Sequence, residues 1–193
     1  MSLIDDFLEN YNRESDYYAE VARIVHQQLE AALLSHGIRA MVTSRAKRSD
    51  RLREKLIKRN REKKYRVFKE IYKDIIDLAG VRVALYFPGD RERVGTLIDE
   101  IFKKARRPKT FPESRKTRPD KRFMGYVATH YLVRLSPETL EDAKSRYAKT
   151  EVEIQVASVL MHAGLKLTTT WCTNPRWEPF RMMNLQSSMK STV

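Results

Sequence analysis

Two short segments of the chain alternate apolar and polar side chains, and this alternation constrains the fold more than any other feature. In EVEIQV (151–156) the apolar residues are Val152, Ile154 and Val156, and the polar residues are Glu151, Glu153 and Gln155. In VRVALYF (81–87) the apolar set is Val81, Val83, Leu85 and Phe87. Because successive side chains of a strand point to opposite faces, both segments are predicted strands with one buried and one polar face.

The remaining periodic segments predict helices around this sheet and further strands within it. Residues 3–35 carry apolar side chains at helical spacing, which predicts one long helix or a helix pair closed by Gly37. The stretch 105–122, with three prolines and no apolar period, is predicted to be a mobile loop. Further strands are predicted at 38–44 and 129–135, and helices at 50–64, 90–104 and 137–147. The fold class is therefore α+β, a mixed sheet of about four to five strands with flanking helices.

The charge balance of the chain narrows the class of partner. Lys and Arg number 38 against 25 Asp and Glu, a formal net charge of +13, which favours an anionic partner such as a nucleotide, nucleic acid or membrane headgroups. The single Cys172 excludes an internal disulfide, and the four scattered histidines argue against a hydrolytic metal centre. No apolar run is long enough for a membrane span, so a cytoplasmic location without a membrane partner is the default expectation.

Two carboxylates are the first candidates for chemistry. Asp77 stands just before the 81–87 strand, with Gly80 keeping the backbone open nearby, and Glu153 lies on the polar face of 151–156. A pair of this kind could hold Mg²⁺, which prefers oxygen ligands and bridges phosphates. Periodicity alone favours the simpler alternative, in which Glu153 faces solvent or pairs with an arginine.

Aromatic and basic residues add two weaker signals. In GYVATH, Tyr126 follows a glycine and could stack on a base, and His130 lies four residues later. Arg45 and Lys47 lie at a strand-to-helix junction, with Lys55 two turns into the helix, where cations could hold a purine and its phosphates. Each has a structural alternative: a strand-edge aromatic, a hydrogen-bonded histidine, or a solvated helix face.

Taken in order, the blocks SRAK…LREKL, DLAGVRVALYFPGD, GYVATH and VEIQV resemble the synthetase domain of the RelA/SpoT family over about residues 30–163. The resemblance implies a nucleotidyltransferase-like fold and synthesis of the (p)ppGpp alarmones of the stringent response. These enzymes transfer the pyrophosphate of ATP to the 3′-hydroxyl of GDP or GTP.

The resemblance also implies roles for the acidic and acceptor-side residues. Asp77 would bind Mg²⁺, and Glu153 would be a second ligand or the general base for the 3′-hydroxyl. Tyr126 would stack on the guanine, and His130 would help to hold the acceptor.

On the ATP side the family pattern carries over to four basic residues. Arg45 and Arg82 would flank the adenine, and Lys47 and Lys55 would contact the phosphates. The chain departs from the pattern at Met124, where the family usually has Asn, and after the EIQ block, where an Arg often follows. Neither departure removes a group on which this chemistry depends. The hydrolase and regulatory domains of the long enzymes have no counterpart, so the small synthetase-only type is the closest match.

The sequence changes character after Ala163. There the family continues with a helix beginning approximately Trp-Ala-x-x-x-His-Asp-x-x-Tyr-Lys, whereas this chain has GLKLTTTWCTNP. The codons possible for this segment, read one base out of phase, permit WAEVNHDLVYKP at every position. We therefore divide the chain into a synthetase domain, 1–163, which includes the N-terminal helix 1–36, and an irregular out-of-frame tail, 164–193.

A divergent, loop-rich terminus is the alternative to a frame change, and the genomic DNA at the Ala163 codon distinguishes the two. A continuous frame with no candidate intron or one-base error would end the frame-shift hypothesis. If the family helix is missing, Val152, Ile154, Val156 and Leu160 are expected to lose cover, which would impair stability or activity.

Two other functions fit the same residues. The transfer could have another acceptor, an adenosine nucleotide or the 3′ end of tRNA, or the chain could be a non-catalytic RNA-binding module whose basic stretches grip phosphates. A pure binder has no use for two carboxylates in one cleft, which discriminates against it. A homo-oligomer is implied by the resemblance alone.

Overall fold

The computed structural model of the chain describes residues 2–111, 128–140 and 142–158. Its mixed sheet has five strands in the order β1-β2-β5-β4-β3, where β2 and β5 are parallel and the other neighbours are antiparallel. This confirms the predicted α+β class. The strands are β1 (Ala40–Ala46), β2 (Ala79–Leu85), β3 (Lys103–Phe111), β4 (Ala128–Arg134) and β5 (Val152–Ser158).

The described residues contain four α-helices. They are α1 (Leu3–Ser35), α2 (Ser49–Lys63), α3 (Phe68–Asp74) and α4 (Arg91–Ile101). The first is one continuous helix of 33 residues rather than a pair, and a capping box between Ser2 and Asp5 begins it. Gly37 follows its end with a φ of +66°, a left-handed conformation that glycine adopts without steric cost.

Helices α1 and α4 cover the apolar face of the sheet. Helix α1 contacts β1, β2 and β5, and α4 contacts β3 and α1. Val152, Ile154 and Val156 are all 0 % exposed within this core, so the expected loss of cover does not occur for these three residues. Leu160 lies outside the described residues. The packing is tight at Gly95 of α4, where an added Cβ would lie 2.6 Å from Oη of Tyr131 on β4.

Two predictions made from local pattern are wrong in part. The loop predicted at 105–122 is strand β3 as far as Phe111, because an edge strand with almost no buried residue carries no apolar period. The register of β3 against β4 shifts twice between Lys104 and Lys109, around a proline that edge strands tolerate. Phe87, predicted on the apolar face of β2, lies beyond the end of the strand and is 58 % exposed.

The short helix predicted at 137–147 is two 3₁₀ helices instead, Pro137–Thr139 and Asp142–Lys149. The tail predicted at 164–193, with its proposed frame change, lies outside the described residues. In the described part of the chain, no helix combines the length and the apolar character needed to cross a bilayer.

Candidate active site

Most of the site residues predicted from the sequence lie on or beside the polar face of the sheet. Cross-strand register places Arg45 beside Gly80, Gly80 beside Glu153, and Gln155 beside His130. Directly paired residues share a face, so these side chains lie on the side opposite the valine and isoleucine core. A small pocket forms there, lined by Arg45, Lys47, Asp77, Gly80, Val81, Arg82, Glu153 and Gln155.

Asp77 lies between α3 and β2 with both carboxylate oxygens occupied. Lys47 Nζ is 2.5 Å from Oδ2 and Lys55 Nζ is 2.8 Å from Oδ1. Burial raises the pKa of Asp77, but the two lysine hydrogen bonds outweigh it and bring the pKa below its ordinary value. The carboxylate is therefore charged at neutral pH, between two cations.

Two backbone elements hold the lysines in place. The N–H of Lys47 donates to the carbonyl of Leu78 at 2.8 Å, which joins the ends of β1 and β2, and the Tyr11 hydroxyl of α1 donates to the carbonyl of Lys47. Lys55 lies on α2, which packs on α1 and buries Leu52 and Leu56 completely. The core thus determines where both amines lie.

Glu153 is held by one amide side chain and one histidine rather than by an arginine. His130 Nδ1 donates to Oε1 at 2.9 Å, and Gln155 Nε2 donates to Oε2 at 2.7 Å. Burial raises the pKa of Glu153, but these two hydrogen bonds lower it by more than burial raises it, so the pKa lies below its ordinary value. The side chain is only 15 % exposed, so the simpler alternative from the sequence, a solvent-facing or arginine-paired Glu153, is wrong.

Glu151 behaves as that simpler alternative describes. It lies two residues earlier, immediately before β5, and its Oε1 is 2.5 Å from Nη2 of Arg134. The two glutamates look equivalent in the sequence, and only their cross-strand neighbours distinguish them.

Arg45 and Arg82 lie on adjacent strands near the two carboxylates. Both line the same pocket, and burial, followed by the positive charge of Arg82, lowers the pKa of Arg45 from its ordinary value. Among the described residues, the ion pairs of this site involve neither arginine. Two adjacent guanidinium planes without carboxylate partners are suited to stacking on an aromatic base.

Two residues at this site, Gln155 and Phe111, were not predicted from the sequence to belong to it. Gln155 is on the polar face that the alternation defines, so its contact with Glu153 could have been anticipated. Phe111 of β3 packs against His130 with ring centroids 4.8 Å apart, and nothing pointed to it because its segment was predicted to be a loop. Tyr126 lies outside the described residues.

The protein side chains at this site can supply only part of the coordination shell of Mg²⁺. In residues 2–111, 128–140 and 142–158, no three His, Cys, Asp or Glu side chains cluster as a complete metal site. Asp77 and Glu153 line one pocket, however, and Mg²⁺ commonly takes one or two carboxylates and completes its shell with water and substrate phosphates. Lys47 and Lys55 would then exchange Asp77 for those phosphates.

Comparison with known proteins identifies the sequence family. The chain matches, over residues 44–171, the model of the region found in RelA and SpoT proteins. A search of the curated proteins finds no matching relative.

Comparison with solved structures concerns the fold. A GTP pyrophosphokinase family protein from Streptococcus pneumoniae aligns with a TM-score of 0.62 and 20% identity, covering 89% of this chain and 79% of that one. The small alarmone synthetase 1 from Bacillus subtilis aligns with a TM-score of 0.60 and 18% identity, covering 86% and 82%. A second structure of that synthetase, bound to its product pppGpp, has a TM-score of 0.60 and 17% identity, covering 86% and 83%. At these identities the likeness is one of fold.

Proposed function

The chain belongs to the RelA/SpoT family, and we propose that it is a small synthetase of that family, which transfers pyrophosphate from ATP to the 3′-hydroxyl of GDP or GTP. The observation that supports this most is the convergence of Asp77 and Glu153 on one pocket with Arg45, Lys47 and Arg82. A binding module gains nothing from two partly buried carboxylates among cations, whereas phosphoryl-type transfer needs both charges.

In the proposed complex the donor lies along the β1–β2 side of the pocket. Arg45 and Arg82 flank the adenine, and Lys47 and Lys55 neutralise the phosphates. Asp77 would hold Mg²⁺ together with those phosphates, which leaves the carboxylate of Glu153 to act on the acceptor. When bound, the ion would supply positive charge that spans the phosphate oxygens.

The acceptor lies on the β4–β5 side. Its 3′-oxygen forms a bond to the β-phosphorus of ATP. The bond between that phosphorus and the oxygen bridging the α- and β-phosphorus atoms breaks, and AMP leaves with the electrons of that bond. The proton of the hydroxyl passes to the carboxylate of Glu153 as general base. His130 and Gln155 orient that carboxylate, since each donates to one of its oxygens, and Tyr126 would stack on the guanine.

One incubation tests the proposal directly. Protein, Mg²⁺ and ATP labelled on the γ-phosphate are mixed with GDP or GTP, and the label is followed by thin-layer separation. The expected result is a labelled guanosine polyphosphate formed in equal amount with AMP. Adenosine nucleotides and tRNA are run as alternative acceptors, and RNA binding is measured in parallel.

The domain division belongs to the same proposal, with a synthetase domain at 1–163 and an out-of-frame tail at 164–193. The assay is therefore run on this chain and on a version in which the reading frame after Ala163 is restored. Product from the restored version alone would mean that the tail impairs activity. No product from either version with any acceptor would overturn the enzyme proposal, and RNA binding without transfer would favour the non-catalytic module. Cytoplasmic location and a homo-oligomer remain predictions.

A further inference from the structure

A second pocket, which we call the basic pocket, lies beside the candidate active site. It measures about 350 Å³, against about 40 Å³ for the pocket around Asp77. Five of its lining side chains are positive and come from separate parts of the chain: Lys69 and Lys73 from α3, Arg106 from β3, Arg134 from β4, and Lys149. Among the described lining residues, Glu151 is the one that is acidic.

The charges of the basic pocket are not balanced internally. Glu151 is 2.5 Å from Arg134 and 3.9 Å from Arg106, so a single carboxylate serves two guanidinium groups. Lys69, Lys73 and Lys149 make no ion pair with any other residue in the described part of the chain. Like charges gathered in this way repel one another, so an anion that neutralises them should bind.

The position of the basic pocket relates it to the active site without merging the two. Glu151 immediately precedes β5 and Glu153 is its second residue, so the two are about 7 Å apart along extended chain. Ile76 and Leu78, on either side of Asp77, line the basic pocket. The two pockets have no lining residue in common.

The size and charge of this pocket select the class of anion. A volume of this order accommodates several heavy atoms beyond a single phosphate, and cations from separate elements can contact successive phosphate groups. The side chains of Tyr72 and Thr150 add hydroxyl groups to the lining. We propose that the basic pocket binds the polyphosphate chain of a nucleotide. The assignment rests on the charges of this pocket and is independent of the transfer reaction.

The test uses inorganic tripolyphosphate as the probe and the full chain as the protein. Its dissociation constant is measured by titration calorimetry for the natural chain and for Lys69→Gln/Lys73→Gln, two exposed positions where substitution leaves the core intact. The control, Lys58→Gln/Arg61→Gln, removes the same charge from exposed positions of α2. We expect binding about tenfold weaker in the first variant and within about twofold of the natural chain in the control. No binding, an unchanged constant in the first variant, or an equal loss in both would overturn the proposal.

A second titration distinguishes the two sources of such a chain. If the acceptor in the adjoining site places its own 5′-phosphates in the basic pocket, saturating tripolyphosphate should weaken GTP binding about tenfold. If a separate nucleotide occupies the pocket, GTP should bind with unchanged affinity. Both titrations report binding alone, so a failure of the transfer assay and a failure of this proposal can be told apart.

Discussion

The two faces of strand β5 serve different purposes although they alternate residue by residue. On one face Val152, Ile154 and Val156 are completely buried under the helices. On the other, Glu153 is held by two hydrogen-bond donors at the wall of a charged pocket. Each fully buried valine or isoleucine contributes about 1.5–3 kcal/mol to folding, whereas a buried carboxylate is retained at a cost in desolvation. Stability and chemistry are therefore carried by alternate residues of one strand.

The largest expected effect is on the polar face. Glu153→Gln preserves shape but removes the charge and the base, so turnover should fall by a factor of about 10³ while ATP binding changes little. Turnover and the ATP dissociation constant are measured separately. Glu100→Gln, an exposed position on α4, is the matched control and should keep its turnover. A Glu153→Gln protein that turns over at the natural rate would exclude Glu153 from catalysis.

On the buried face the neighbouring residue should show the opposite behaviour. Ile154→Ala leaves a cavity between the sheet and α1, and should lower the free energy of unfolding by about 2–5 kcal/mol. Turnover per folded molecule should be retained. Urea unfolding gives the first quantity, and the transfer assay at low temperature gives the second. A stable Ile154→Ala variant with poor turnover would show that the two faces are not separable.

A smaller change in the free energy of unfolding is expected where α4 packs on β4. In Gly95→Ala the new methyl group would lie 2.6 Å from Oη of Tyr131, which is itself buried, so a loss of about 1–3 kcal/mol is expected. In a Tyr131→Phe background the nearest atom becomes Cζ at 3.6 Å, an ordinary contact. There the same substitution should stabilise by up to about 1 kcal/mol, because alanine is the better helix former.

The double-mutant cycle of these two positions is measured by urea unfolding. Equal effects of Gly95→Ala in both backgrounds would mean that the hydroxyl of Tyr131 is not what the methyl group meets. Turnover should be unaffected throughout, since both residues lie on the covered side of the sheet.

Local pattern predicted most of the fold because most elements are half buried. The long helix ends where Gly37 permits a left-handed turn. Strand β5 could be predicted because its buried residues alternate with polar ones. Strand β3 was missed since its side chains are nearly all exposed, so that its strand character comes from pairing with β4 and not from burial.

Periodicity and composition are local properties, and they suffice to predict the α+β class, the polar face of β5 and the residue types suited to nucleotide chemistry. They do not predict that Glu153 binds His130 while Glu151 binds Arg134, or that Lys47 and Lys55 share Asp77. These partners are 17–30 residues apart along the chain, so strand register and packing select them. Side chains at such separations meet only once the strands have paired and the core has packed.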